Sequence, residues 1–310
     1  MKNKCFVVLC GIAVIMMAAC ASSSPPALLT GGTLVWSDEF DGPELDLTKW
    51  NIETGTGGQY GLSGWGNEEK QFYKPENIYI QDGVLVLEAR MDNDEANGSK
   101  YFPYTSGKIA TGGIMNHDGT IKDLKFAVKP GQRLEARIKS SRGRGLWPAF
   151  WMIGATSNDY SGYKALGWPR AGEIDILEIK GGRENILLST IHYGPAWPNN
   201  RAWGDQIELP FNLADDWHIY GVTWDKNELH FMLDGETWLK VPLAQLEKDL
   251  GKNKAFITEA FTAKSGFIIN INHAVGGAFI GHALPADSIF GPSAPLEDRQ
   301  FKIDWVRVYE

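Results

Sequence analysis

Residues 173–179 read Glu-Ile-Asp-Ile-Leu-Glu-Ile, and whether this run is a strand or a helix decides the fold. On a helix, at about 100° per residue, the three acids would point to roughly 0°, 200° and 140° and share no narrow face. On a regular strand Glu173 and Asp175 share one face, while Glu178 turns to the opposite, buried one. A carboxylate aimed into an apolar layer is very unfavourable. One extra residue between Asp175 and Glu178, a β-bulge, removes the conflict and sets all three acids on one surface.

The surrounding sequence agrees with a strand. From residue 33 onward, short runs rich in Val, Ile, Phe, Trp and Tyr alternate with turn residues, at 78–90, 133–141, 148–154, 185–194, 217–225, 266–275 and 301–310. Asp82-Gly83 and Asp234-Gly235 sit between such runs, as two-residue hairpin turns require. Only residues 242–251, PLAQLEKDLG, read well as a helix, with Pro242 near the start and Gly251 as the stop. No repeat or Pro/Ser-rich linker divides residues 33–310. One all-β domain is expected, a sandwich or jelly roll of antiparallel sheets.

Composition narrows the partners. The chain has 310 residues, 30 Lys plus Arg against 38 Asp plus Glu, and a net charge of −8. Residues 1–19 carry Lys2 and Lys4 and no acid, so the remainder is more acidic still. Such a surface repels polyanions, which makes nucleic acid and heavily sulfated polymers poor partners. The three cysteines are Cys5, Cys10 and Cys20, so nothing after residue 20 can form an internal disulfide or a thiolate metal site.

The first residues read as an address. Two lysines, an apolar run from Cys5 to Met17 and then small residues have the layout of a secretory signal, too short to span a bilayer comfortably. Met17-Ala18-Ala19-Cys20 resembles a bacterial lipobox, in which cleavage leaves a lipidated Cys20 as the new amino terminus, followed by the tether-like segment 20–32. An ordinary secretory signal cleaved nearby is the plainer reading. The expectation is an exported protein, held at the periplasmic face or cell surface of a bacterium through Cys20 alone, and monomeric.

Two carboxyls about 5–5.5 Å apart suit retaining glycoside hydrolysis: one, ionised, attacks the anomeric carbon and the other, protonated, supplies the leaving oxygen with a proton. A third acid between them can hydrogen-bond the nucleophile and help hold the unequal protonation. The competing reading of the triplet is a solvated strand face with incidental acids.

At this point the sequence resembles glycoside hydrolase family 16, whose bulged signature reads Glu, any, Asp, any, any, Glu. The likeness spans nearly all of residues 33–310, through LVWSDEFDG (34–42), GWGNEEKQFY (64–73), YTSG (104–107), GLWPAFWMIG (145–154), GWPRAGEIDILE (167–178), IHYG with Trp-Pro following (191–198), DDWHIYGVTW (215–224), AVGG (274–277) and IDWVRVY (303–309). The GWGNEE and WPAFW blocks look like the laminarinase and β-glucanase branch. The resemblance implies a β-jelly-roll with a concave cleft. It also implies endo-acting hydrolysis of β-1,3 or mixed β-1,3/1,4 glucans, with Glu173 as nucleophile, Asp175 as its assistant and Glu178 as general acid/base. No cofactor is implied for catalysis.

Sugar rings present apolar faces between polar rims, so a glucan cleft needs aromatic walls with interspersed polar groups. Trp147, Trp151, Trp168 and Trp197 lie in family blocks beside the catalytic strand and are the expected walls, with Asn67 and Glu68 as polar candidates. By resemblance His192 faces the cleft. A structural calcium on the opposite face is implied at Glu39, Gly83 and Asp304, as oxygen ligands suit that ion. Three features depart from the family pattern: Lys108 where Arg is common, His273 where an apolar residue is usual, and a long segment at 111–131. The alternatives are a same-family hydrolase of agar, porphyran or carrageenan, and a glucan-binding lectin without activity.

Overall fold

The computed structural model describes residues 31–58, 61–92, 103–113, 123–155, 166–262 and 265–310. The signal segment 1–19, Cys20 and most of the 20–32 tether lie outside the described residues, as does the 114–122 part of the long segment.

Strands form where apolar and polar residues alternate or where β-branched and aromatic residues run together. In chain order they are β1 (Leu34–Asp38), β2 (Asn51–Ile52), β3 (Gln71–Tyr73), β4 (Ile78–Gln81), β5 (Val84–Glu88), β6 (Arg90–Met91), β7 (Tyr104–Ser106), β8 (Lys108–Ala110) and β9 (Arg133–Lys139). They continue with β10 (Leu146–Gly154), β11 (Glu173–Glu178), β12 (Ile186–Tyr193), β13 (Arg201–Glu208), β14 (His218–Trp224), β15 (Glu228–Leu233), β16 (Glu236–Pro242), β17 (Phe267–Val275) and β18 (Gln300–Tyr309). Among the described residues, two α-helices, α1 (Leu243–Leu250) and α2 (Ala255–Phe261), interrupt the series.

The strands assemble into two large antiparallel sheets. One runs β16-β15-β14-β9-β18-β5-β4, with β1 also on β18; the other runs β13-β12-β11-β10-β17-β8-β2. A small third sheet, β3-β7-β6, lies beside them. This is the expected jelly-roll sandwich. Both hairpin turns take the form read from the sequence. Asp82 and Gly83 have φ of 54° and 74°, and Asp234 and Gly235 have 51° and 86°. Left-handed values at both central positions match the twist of the strands they join.

The core fills the space between the sheets. Leu134, Ala136 and Ile138 of β9 and Phe301, Ile303, Val306 and Val308 of β18 point inward to meet Phe150, Met152, Ile174, Leu177, Ile269 and Ile271 of the second sheet. Helix α2 differs from the sequence reading, which saw no helix there. Its segment AFITEAF mixes aromatic and β-branched residues, and it is held by packing Ile257, Ala260 and Phe261 into the core. Tertiary burial outweighs its modest local propensity.

His273 belongs to this interior. It is fully buried on β17, with Nδ1 3.1 Å from the Leu87 carbonyl oxygen and Nε2 2.8 Å from Ser141 Oγ. The Nδ1–H donor and the Nε2 acceptor thus join the two sheets. Burial pushes its pKa down to about 4, so the ring is neutral at neutral pH. The departure at His273 therefore concerns sheet-to-sheet linkage and not the substrate. His273→Ala should cost about 2–4 kcal/mol through a cavity and two stranded polar groups. Urea unfolding would read this, with KM unchanged.

Candidate active site

The bulge is present in β11. Phe150 pairs with Leu177 and Trp151 with Asp175, which leaves Ile176 as the extra residue; on the other side Asp175 pairs with Thr190 and Glu178 with Leu188. Ile174, Ile176 and Leu177 all enter the core, while Glu173, Asp175 and Glu178 share the opposite face. The rows across this face follow from the register. Ile153, Glu173, His192 and Ala202 form one, Trp151, Asp175, Thr190 and Gly204 the next, and Ala149, Glu178, Leu188 and Gln206 a third.

Each acid has its own surroundings. Glu173 Oε1 lies 3.7 Å from His192 Nε2, and the Trp168 side chain donates a hydrogen bond to Glu173. Asp175 Oδ2 lies 3.4 Å from the same Nε2 and has no hydrogen-bond partner among the described residues. Glu178 Oε1 accepts a 3.1 Å bond from Trp147 Nε1. Burial first, and then the Asp175 carboxylate between them, push both Glu173 and Glu178 up to about 8. Burial also holds Asp175 well above the usual carboxylate range. Three recessed acids on one face cannot all ionise, so one anion among neighbours that keep their protons is the favoured state. Trp168 and His192 favour the Glu173 anion, while His192, Trp147 and Lys180 favour that of Glu178.

The tryptophans divide in a way the sequence did not foresee. Trp147 is only 8% exposed and stacks on Phe279 at 4.6 Å, so it positions Glu178 instead of forming an open wall. Trp151 is half-buried and donates a 2.7 Å bond to Asn272 Oδ1. Trp168 is exposed, tilted against the His192 ring with centroids 6.0 Å apart. Trp197, in the loop after β12, is 73% exposed.

The 64–73 segment also differs from expectation. Glu68 has φ of 59° and turns its side chain to solvent, 3.8 Å from His282 Nδ1, so it is not the acid that reaches inward. Its neighbour Glu69 is buried instead, accepting bonds from Gln71 Nε2 at 2.5 Å, Tyr73 Oη at 3.2 Å and Asn67 Nδ2 at 3.2 Å. Asn67 therefore serves this buried acid and fixes the loop through its carbonyl to Ala278 N. Tyr73 in turn accepts from Asn272, which holds Trp151. Lys108 is buried beside this chain, its ammonium 4.1 Å from the Trp65 ring centre and 5.3 Å from that of Trp151. Glu69, Gln71, Tyr73 and Asn272 were missed as site residues. The one available signal was the polar spacing Glu69, Gln71, Tyr73 on a single strand face.

The expected calcium ligands do not offer a free donor set. Glu39 pairs with Arg307 through two bonds of 3.0 and 2.7 Å, and Asp304 pairs with Arg137 at 2.6 Å. A cation bound through the Glu39 and Asp304 carboxylates would have to displace both guanidinium groups, whereas Gly83 could contribute only its backbone carbonyl oxygen.

Comparison with known proteins places this geometry. A family model described as "Beta-porphyranase A-D, GH16 domain" matches residues 34–310. The chain is 34% identical over 294 residues to glucan endo-1,3-beta-glucosidase A1 of Niallia circulans, covering 91% of this chain and 38% of that protein's length. It is 33% identical over 257 residues to glucan endo-1,3-beta-glucosidase of Cryptopygus antarcticus, covering 80% of this chain and 82% of the relative. The solved catalytic domain of an endo-1,3-beta-glucanase (laminarinase) from Thermotoga petrophila RKU-1 superposes with a TM-score of 0.70 at 31% identity, over 90% of this chain and 98% of that one.

Proposed function

Because the chain belongs to glycoside hydrolase family 16, we propose that it is an endo-acting, retaining β-glucanase that cuts β-1,3 or mixed β-1,3/1,4 glucans. The observation that carries the reading is the bulge at Ile176, which spends an irregularity in the sheet to bring Glu173, Asp175 and Glu178 to one face. Glu173 attacks the anomeric carbon while Glu178 delivers its proton to the departing glycosidic oxygen, leaving a glycosyl ester on Glu173. Water then enters, Glu178 takes back a proton, and the ester bond breaks with the β configuration restored. Asp175, which burial keeps protonated, can donate a hydrogen bond to Glu173 as its charge comes and goes.

The neutral-glucan reading draws on the relatives' glucanase activities, on the net charge of −8 and on exposed Trp168, whose ring suits the apolar face of a sugar. The family model's porphyranase description supports a second reading, a same-family galactan hydrolase. Reducing-sugar release from laminarin, mixed-linkage β-glucan, cellulose and carrageenan, at low and high salt, separates the two. The expected outcome is cleavage of the first two, little of cellulose, none of carrageenan, and weak salt dependence of KM. Proton NMR should show the β-anomer first. Preferential, salt-suppressed cleavage of the sulfated galactan would overturn the glucan assignment, and an initial α-anomer would overturn Glu173 as nucleophile.

We further infer export and lipidation at Cys20, supported by the lipobox-like Met17–Cys20 and by the lack, among the described residues, of a helix long and apolar enough to cross a membrane. Cys20→Ala should move the protein from the membrane fraction to the soluble one or stop its maturation. Unchanged fractionation would leave the ordinary signal.

A further inference from the structure

We propose that Glu173, Asp175 and His192 also form a capture site for a borderline divalent cation of the zinc type, which occupies the catalytic face and excludes substrate. The geometry of these three side chains does not depend on which polysaccharide is cut. One donor atom from each of the three residues lies within 4.8 Å of the others. His192 Nε2 stands 3.4 Å from Asp175 Oδ2 and 3.7 Å from Glu173 Oε1. Zinc bonds of about 2.0–2.2 Å in a tetrahedron place neighbouring ligands about 3.3–3.6 Å apart, so the two separations from Nε2 already come close to that spacing, and the two carboxylate oxygens, which lie within 4.8 Å of each other, would close toward it.

A second observation points the same way. Asp175 is 5% exposed, yet its Oδ2 faces Nε2 with no hydrogen-bond partner among the described residues. A buried carboxyl oxygen with no hydrogen-bond partner is a costly arrangement, and a cation that takes the place of the acid's proton would relieve it. The three side chains project from adjacent strands, β11 and β12, and are fixed by the Glu173↔His192 and Asp175↔Thr190 register. Their arrangement is therefore set before any ion arrives. One nitrogen and two carboxylates suit zinc or copper, whereas magnesium and calcium prefer six or more oxygen ligands. Three protein ligands leave a fourth position open on the side where substrate would lie. The ring's other nitrogen, Nδ1, has no partner among the described residues, so nothing supports the imidazole from behind as strong zinc sites require. The site is thus a reversible one, suited to inhibition.

The test is isothermal titration calorimetry of zinc chloride into the full chain at pH 7, with magnesium chloride in parallel. The expected result is one saturable zinc per chain and no saturable magnesium. His192→Asn should weaken zinc binding by roughly tenfold or more, while His282→Ala, at the surface pair with Glu68, should leave it unchanged. If His192→Asn loses its native circular dichroism, Asp175→Asn serves instead, with the same expected loss. With any polysaccharide that the enzyme cuts, zinc should raise KM and leave kcat unchanged. Absence of saturable zinc binding, or equal binding by the parent and the folded variant, would overturn the proposal. Because calorimetry needs no substrate, neither result bears on the glucanase reading.

Discussion

Glu173→Gln is expected to extinguish polysaccharide turnover, by on the order of 100,000-fold or more, and at the same time to make the folded protein more stable at neutral pH. The first effect follows from removing the group proposed to form the glycosyl ester. The second follows from burial. Glu173 has its pKa pushed up to about 8 in the folded protein, against an ordinary value near 4.5. A carboxyl raised in this way contributes fully to stability below its unfolded pKa, and the contribution is lost as pH rises toward 8. Glutamine cannot ionise, so the variant escapes the loss, on the order of 3 kcal/mol at pH 7. Thermal unfolding at pH 4 and pH 7.5 would display it: parent and variant should melt alike in acid and separate, variant higher, near neutrality. A variant that is inactive and also less stable at pH 7.5 would mean that Glu173 is a structural group whose loss disrupts the sheet.

Glu178→Gln should behave differently in kind. Loss of proton transfer should lower the rate on polysaccharide by about 100- to 10,000-fold. Aryl glycosides whose leaving groups depart without a proton should form the ester at near the parent rate. The second step still lacks its base, so the ester should accumulate and a burst of released phenol should be visible. Equal losses on both kinds of substrate would sink the assignment of Glu178 as acid/base. Trp147 provides a companion reading, because its indole N–H favours the Glu178 anion. Trp147→Phe should raise the Glu178 pKa and move the alkaline limb of the pH profile upward.

The parts of the fold that could be read in advance are those whose causes are local. The two Asp-Gly turns depend on two residues each, and the bulge is forced within six residues by the cost of burying a carboxylate. Strand β13 is a counterexample. Its sequence RAWGDQIE has no apolar run, since it is a polar edge strand held by pairing with β12. The Glu68 and Glu69 assignment turned on one left-handed φ at Glu68, which no neighbouring residue announces. His273 stood out as a polar residue in an apolar run, but the partners that explain it lie 186 and 132 residues away. The shared face of Glu173, Asp175 and Glu178 was legible because all three lie within six residues of one strand. The support beneath Trp151 was not, because it is assembled from β3, β8 and β17.

The bulge at Ile176 bears on how this chain folds as well as on what it cuts. A strand with a strict two-residue alternation can slide by one position against its neighbours and still form a ladder, with every side chain exchanged between faces. For β11 that slide would carry Glu173 and Asp175 into the apolar layer and bring Ile174 out of it, a state too costly to populate. The three acids thus penalise the off-by-one ladder relative to the native pairing. Neutral substitutions at these positions trade that penalty for thermal stability. A triple amide variant should melt higher near neutral pH yet refold with a larger misregistered, aggregation-prone fraction.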